Sequence, residues 1–204
     1  MFMNRSGSTL AALAVATVTL VACSKKDNYG SDTTAASSTM SADTSAMAGA
    51  SSTTSGTWSD ANIVALLDEA NAADSSAGAI AVTKGTNSKV RDFARRMMRD
   101  HHTLRAQGAA LAKKLNVTPA APSDDPVQPM AQDETNKLNT TAKGKDFDKA
   151  YIDAEVDAHK AVLDLATKAA GQTQNTELKN LIQKAAPVIQ GHLDLAQSIQ
   201  KSLQ

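Results

Sequence analysis

Residues 88–115, SKVRDFARRMMRDHHTLRAQGAALAKKL, place Val90, Phe93, Met97, His101, Leu104, Gly108, Leu111 and Leu115 at steps of three and four, with Ala94 beside Phe93. That spacing brings them onto one stripe of an α-helix, while the arginines and lysines between them fall on the opposite face. Asn116 and Pro119 stop the pattern, and Ser88 is read as its N-cap. The stripe is that of a bundle helix, with one irregularity: a histidine occupies a core position.

Working outward, the same periodicity recurs three times. Before it, Ser59 caps a helix carrying Ile63, Leu66, Leu67, Ala70, Ala73, Ala77, Ile80 and Ala81, which ends at Gly85. Trp58 and Ile63 have the spacing of a hydrophobic staple. After it comes a connection of about 30 residues, longer than most loops in compact domains, holding Pro119, Pro122, Pro126 and Pro129. A short, weakly patterned helix is expected there around residues 130–138. A third long helix starts near Asp146, carries Ile152, Glu155, Val156, His159, Leu163, Ala166 and Ala170, and closes at Gly171. The fourth is capped near Asn175 and carries Leu178, Leu181, Ile182, Ala185, Val188, His192, Leu195 and Ile199, with a kink expected at Pro187. The fold class is all-α: a four-helix bundle made of two helix hairpins joined by a long crossover, the connectivity of ferritin-like bundles.

The N-terminal part carries no such pattern. Arg5 precedes an apolar run of about 14 residues, too short to span a bilayer and of signal-peptide length. The run ends in Leu20-Val21-Ala22-Cys23, which resembles the lipobox of bacterial lipoproteins. Residues 1–22 are expected to be a lipoprotein signal peptide and Cys23 the lipidation site, so that acyl chains anchor the protein to a membrane. Cys23 is the only cysteine, which excludes an intramolecular disulfide and a cysteine-ligated metal. Residues 23–57, rich in Ser, Thr, Ala and Gly, read as a flexible tether with too few large apolar groups to offset ordering entropy. Residues 58–204 form the folded domain. The expected location is the cell envelope. Ser24 after the cysteine favours the outer membrane, facing the periplasm, by the sorting logic of lipoproteins. Lysine plus arginine and aspartate plus glutamate number 21 each, so no net charge attracts nucleic acid. The arginines at 91, 95, 96 and 99 are read as a solvated helix face.

Three of the four histidines, His101, His159 and His192, sit on apolar stripes of different helices, and the first helix offers Asp74 on its apolar side. Counted along the helices, the four come within about 8 Å of one level. His192 falls roughly a turn and a half lower, and Glu155 fills that gap. Polar groups at core positions are costly unless paired. One reading is a transition-metal site (Zn, Mn, Fe or Cu) with Asp74, His101, Glu155, His159 and His192 as ligands. The other is a hydrogen-bonded network that fixes helix register. His102 lies off the stripe and reads as a surface residue. Met97 and Met98 read as core filling, and Tyr151 as able to reach the layer from below Glu155.

The strings Lys89–His101 (KVRDFARRMMRDH), Phe147–Tyr151 (FDKAY) with His159 following, and Pro187 with Gly191-His192-Leu193 resemble the ferritin-like domain-of-unknown-function family numbered 4142 over about residues 58–203. Members are often labelled predicted outer membrane proteins. The resemblance implies a ferritin-like fold and an exported location, with no established activity. It places the family's first-helix acid on Asp74, its Asp-His pair on Asp100 and His101, and its later histidines on His159 and His192. Di-iron ferritins carry Glu-x-x-His on two helices. Here Met98 and Ile189 stand three residues before His101 and His192, which argues against a ferroxidase centre and for a mononuclear or vestigial site.

No Gly-rich phosphate loop precedes a helix, and no serine or cysteine nucleophile sits beside a base. Three functions remain open. The first is a non-enzymatic envelope protein that binds a transition metal for metal handling or stress protection. The second is a metal-dependent oxidase or peroxide-removing enzyme. The third is a structural or partner-binding module without metal.

Overall fold

A computed structural model describes residues 56–204. The expected signal segment, Cys23 and the tether as far as residue 55 lie outside the described residues. Five helices follow in order, α1 (Asp60–Lys84), α2 (Ser88–Lys114), α3 (Val127–Thr140), α4 (Lys145–Gln172) and α5 (Thr176–Ser202), with no strand among the described residues. The all-α reading holds. The four long helices are the four read from periodicity, and the short one is real and longer than expected.

Local chemistry explains most boundaries. Ser59 accepts from the Asn62 N–H at 3.2 Å while the Asn62 side chain accepts from the Ser59 N–H at 3.0 Å, a reciprocal cap on α1. Trp58 and Ile63 are buried in one apolar cluster, as the staple spacing implied. Asn175 accepts from the N–H groups of Glu177 and Leu178 to start α5. Two boundaries differ from expectation. Asn87, not Ser88, caps α2, accepting from the Lys89 N–H, because the α1–α2 turn holds Asn87 extended at the point of entry. Gly171 lies inside the last turn of α4, which Thr173 ends instead: its buried hydroxyl donates to Asp60 at 2.6 Å and thereby ties the α4–α5 turn to the start of α1. Helix α5 continues through Pro187. That residue lies on the exposed side of the helix, where the Gln183 carbonyl deprived of its donor can be solvated.

Helix direction follows from ring contacts. Phe93 meets Tyr151 with centroids 6.1 Å apart, and His101 meets His159 at 5.6 Å. Both partners advance by the same number of residues along the chain, so α2 and α4 run parallel. The long crossover makes this possible. Leaving α2, it folds against the start of α1, where Ala120 exchanges hydrogen bonds with Ala61 and Asn62. Helix α3 then carries it along α1 and α4 until the Leu138 carbonyl accepts from Lys84 at 2.6 Å. Gly144, at φ 146°, makes the final turn into α4 in a conformation that side chains resist. Hairpin α1–α2 packs tightly: a Cβ on Gly78 would sit 2.9 Å from the Ala94 carbonyl oxygen.

Asp148 joins the two hairpins. Its buried carboxylate accepts from the Thr86 N–H at 2.8 Å, the Thr86 hydroxyl at 2.5 Å and the Asn87 N–H at 2.9 Å, closing the α1–α2 turn onto the first turn of α4. Replacing it with alanine removes the acceptor of two main-chain donors in a partly buried turn. Asp148→Ala is expected to lower unfolding free energy by about 3 kcal/mol in urea denaturation at constant m-value. An unchanged midpoint would show that the turn holds without this carboxylate.

Candidate metal centre

The apolar interior comes in two parts. One gathers Trp58, Leu66, Ala70, Val162, Ala166, Ile182 and Ile189, and the other gathers Ala77, Val90, Phe93, Met97, Tyr151, Ile152 and Leu193. Between them lies a polar layer built from every long helix. Asp74 from α1, His101 from α2, Glu155 and His159 from α4 and His192 from α5 are all buried, at 4 % exposure or less. All five residues singled out from periodicity are therefore brought together.

The imidazoles are at one level. Ring centroids are 5.6 Å apart for His101–His159, 5.2 Å for His101–His192 and 5.4 Å for His159–His192. One ring nitrogen from each lies within 4.8 Å of the other two. The lower position expected for His192 is not seen, because residue counting assumes hairpin turns of equal height. Glu155 accordingly bridges nothing between His159 and His192. It lies with Asp74 on the other side of His159, the three again offering ligand atoms within 4.8 Å.

Hydrogen bonds settle which way each imidazole presents its proton. His101 Nδ1 is 2.8 Å from Asn71 Oδ1, and Asn71 is oriented by donating its own amide to the Leu67 carbonyl. His159 Nδ1 is 2.9 Å from the Glu155 carbonyl oxygen, and His192 Nε2 is 2.9 Å from Asp100 Oδ2. Each partner is an acceptor, so each of these nitrogens carries the proton and donates. The second nitrogens, His101 Nε2, His159 Nε2 and His192 Nδ1, are buried with no hydrogen-bond partner. Burial holds all three rings neutral: it lowers His101 to about 3, with His159 and His192 adding to the effect, and His159 to about 4. His192 is lowered by burial too, against the opposing hydrogen bond to Asp100. Three neutral imidazoles therefore carry buried lone pairs that meet no donor, and each is oriented from behind by an acceptor. That donor set fits a transition ion that takes nitrogen ligands, and the outer hydrogen bonds are those that usually orient ligating histidines. A closed hydrogen-bond network, the other reading of the layer, leaves these three nitrogens unexplained.

On the far side of the rings lies a carboxyl group of residues. Glu155 is wholly buried and neither of its carboxyl oxygens has a hydrogen-bond partner, although Oε2 is 3.3 Å from His159 Nδ1. Asp74 Oδ2 is 3.4 Å from His101 Nδ1. The Tyr151 hydroxyl reaches the layer beside the Glu155 carboxyl, and burial first, then that carboxyl, raise the phenol well above its ordinary value. Glu134, from α3, joins the group, and its Oε1 is also buried without a partner. Burial first, and then the neighbouring carboxyls, raise Asp74 and Glu155 well above the carboxylate range, while burial raises Glu134 to about 7.

Three participants were missed in the sequence: Asn71, Glu134, and Asp100 as the partner of His192. Asn71 lies one turn beyond Leu67 on the α1 stripe and was readable there. Asp100 was visible as half of an Asp-His pair, but nothing local says that it reaches α5. His102 is exposed, Met97 is buried among the upper apolar residues, and Arg95 and Arg96 pair with Asp92 and Asp100 on the α2 surface. An apolar hollow of about 340 Å³, walled by Leu104, Gly108, Leu181 and Ala185, reaches Asn71 from the lower core, so the α2 stripe is only half-buried there.

A long crossover, parallel second and fourth helices and a buried histidine layer define a helical-bundle class. The chain belongs to the family described as "Domain of unknown function (DUF4142)", which it matches over residues 43–199. No curated protein matches it. Among solved structures, CopM in its Cu(II)-bound form is 14% identical with a TM-score of 0.60, covering 73% of this chain and 100% of that one. A DUF305 fragment from Deinococcus radiodurans is 13% identical with a TM-score of 0.62, covering 70% and 95%. CopM in its Ag-bound form is 13% identical with a TM-score of 0.56, covering 72% and 98%. At these identities the likeness is one of fold.

The layer gives stability a signed pH dependence in chelator-treated protein. The histidines titrate lower in the folded state than when unfolded, so their contribution is full above about 6.5 and is lost as pH falls toward 3–4. The carboxyls titrate higher when folded, so theirs is full below about 4.5 and is lost as pH rises through their folded values, about 7 for Glu134. The two sets oppose each other between those limits, and above pH 6.5 only the carboxyls act. Stability is expected to fall from pH 6.5 to 8, by about 1.4 kcal/mol per pH unit for each carboxyl still protonated. Urea unfolding at the two pH values checks it. Stability that does not fall over this interval would mean that Asp74, Glu134 and Glu155 are already ionised.

Proposed function

We propose that this protein is an envelope-located metal-binding protein that takes up a transition ion, copper first among them, through His101, His159 and His192. The observation that carries this is the set of three buried, neutral imidazoles, each with one nitrogen pinned by an acceptor and the other without a partner. Imidazole suits zinc, copper, iron and nickel. The bundle's likeness to CopM, with structures in Cu(II)-, Cu(I)- and Ag-bound forms, supports placing copper ahead of the others. Asn71, the Glu155 main-chain carbonyl and Asp100 orient the rings in this reading, with the Asp74 and Glu155 carboxyls nearby. All three imidazoles are buried, which favours holding an ion, for metal handling or protection from metal stress, over turnover of an organic substrate.

Binding to the folded state alone stabilises by RT ln(1 + [L]/Kd), about 2.7 kcal/mol at a hundredfold excess over Kd. The full chain, melted with chelator and then with Cu²⁺, Zn²⁺, Mn²⁺ or Fe²⁺, is expected to gain several degrees with copper. His159→Ala is expected to lose that gain. A wild-type midpoint that no metal moves would remove the metal reading and leave a scaffold whose layer sets helix register.

The envelope location rests on the lipobox-like Leu20–Cys23, with Cys23 as the anchor. No helix among the described residues is long and apolar enough to cross a membrane, so in this reading attachment is through lipid. Metabolic labelling with a fatty-acid analogue is expected to mark the wild type and leave Cys23→Ser unlabelled. Equal label on both would place the modification elsewhere.

A further inference from the structure

The lower half of the bundle keeps open a space that the upper half closes. Where α1 meets α2 above, a Cβ on Gly78 would press on the Ala94 carbonyl, whereas a Cβ on Gly108, lower on α2, would meet nothing within 4 Å. Gly108 lies one turn beyond Leu104 on the α2 stripe, and both are only half-buried, as are Leu181 and Ala185 of α5. Here glycine lowers helix stability without the compensation of close packing. The space left is the hollow of about 340 Å³, whose other walls include Leu67 of α1, Val162 of α4 and Ile182 of α5. Packed interiors leave few voids larger than a water molecule, and an opening of this size falls instead in the range of ligand pockets, about 300–1,000 Å³.

What the hollow accepts follows from its walls. The polar side chains lining it are Asp68, Asn71 and Arg105. Arg105 donates to both Asp68 oxygens, at 2.8 and 3.0 Å. Asn71 has its oxygen on His101 and its amide on the Leu67 carbonyl. These groups are engaged with one another or with the fold, and apolar cavities stay dry and take up apolar molecules.

The polar end of the ligand is set by what adjoins the hollow. Leu104 and Leu181 also wall an open groove between α2 and α5, which Gln107 and Lys184 border. Lys184 is exposed, stands next to Ala185 in the chain, and has no ion pair among the described residues. Asp100, the acid bordering the same groove, is engaged by Arg96 and His192. An apolar hollow with an unpaired cation at its margin is complementary to one alkyl chain that ends in a carboxylate.

We propose that this hollow binds a single-chain fatty carboxylate, with the alkyl chain between Gly108 and Ala185 and the carboxylate against Lys184. The site takes no ligand contact from the three histidines and stands independently of the metal reading.

The test is isothermal titration calorimetry of the full chain carrying Cys23→Ser, which keeps acyl groups of its own out of the assay. The probes are decanoate, below its micellar concentration, and decanol, below its solubility limit. One decanoate per chain is expected. Gly108→Leu places an apolar side chain in the hollow and improves helix propensity, so it is expected to melt no lower than the parent chain. It is also expected to weaken both probes about tenfold or more. Lys184→Gln is expected to weaken decanoate about threefold and to leave decanol unchanged. A parent chain that binds no decanoate would overturn the proposal, and this arm needs no further variant to fold. So would a Gly108→Leu protein with native circular dichroism that binds decanoate as before. A Lys184→Gln protein that binds decanoate unchanged, or weakens decanol equally, would likewise overturn it.

Discussion

The structure turns on three imidazole protons. Each is donated to an acceptor that the fold holds rigidly: the Asn71 amide oxygen, a main-chain carbonyl within α4, and the Asp100 carboxylate. A neutral imidazole has one donor and one acceptor, so fixing the proton also fixes the lone pair. Turned inward and buried, those lone pairs are unfavourable in the bare protein unless something electrophilic occupies the space they face. Partnered behind and bare in front, the rings are oriented as metal-ligating histidines are.

The rest of the molecule serves that orientation. His101 needs α1 behind it, since Asn71 and Asp74 both stand on that helix, and the tight approach at Gly78 keeps α1 and α2 together. His192 needs α2, because its acceptor Asp100 precedes His101 in sequence and turns outward to meet α5. His159 carries its acceptor one turn behind it on α4 and depends only on that helix being intact. Asp148 sets the height of α4 against the first hairpin, and Thr173 does the same at the opposite end through Asp60. Two clamps at opposite ends hold the hairpins in register, so side chains from four helices meet at one level.

The crossover has the least regular sequence and the most specific consequence. Four prolines in a short span look like a connector, and most of it is one. Yet it must travel the length of the bundle, and α3 does so along α1 and α4, beside the carboxyl side of the layer. Glu134 therefore arrives beside Asp74 and Glu155 because of where α3 lies, with no pattern of its own to announce it.

Periodicity alone determined the helices and their apolar faces. It also placed Asp74, His101, Glu155, His159 and His192 on those faces, because a 3.6-residue repeat converts sequence position directly into angle around a helix. The capping residues Ser59 and Asn175 were legible for the same local reason. Relative height between helices is not local. It depends on turn geometry and on clamps such as Asp148–Thr86, so the level of His192 and the company of Glu155 were settled only by tertiary structure. The same holds for Asn71 behind His101, Asp100 behind His192 and Glu134 from the crossover. Each is an ordinary polar residue in its own segment and acquires a role only when a second helix is packed against it. What the chain writes along one helix can be read from sequence; what it assembles between helices exists only once they are packed.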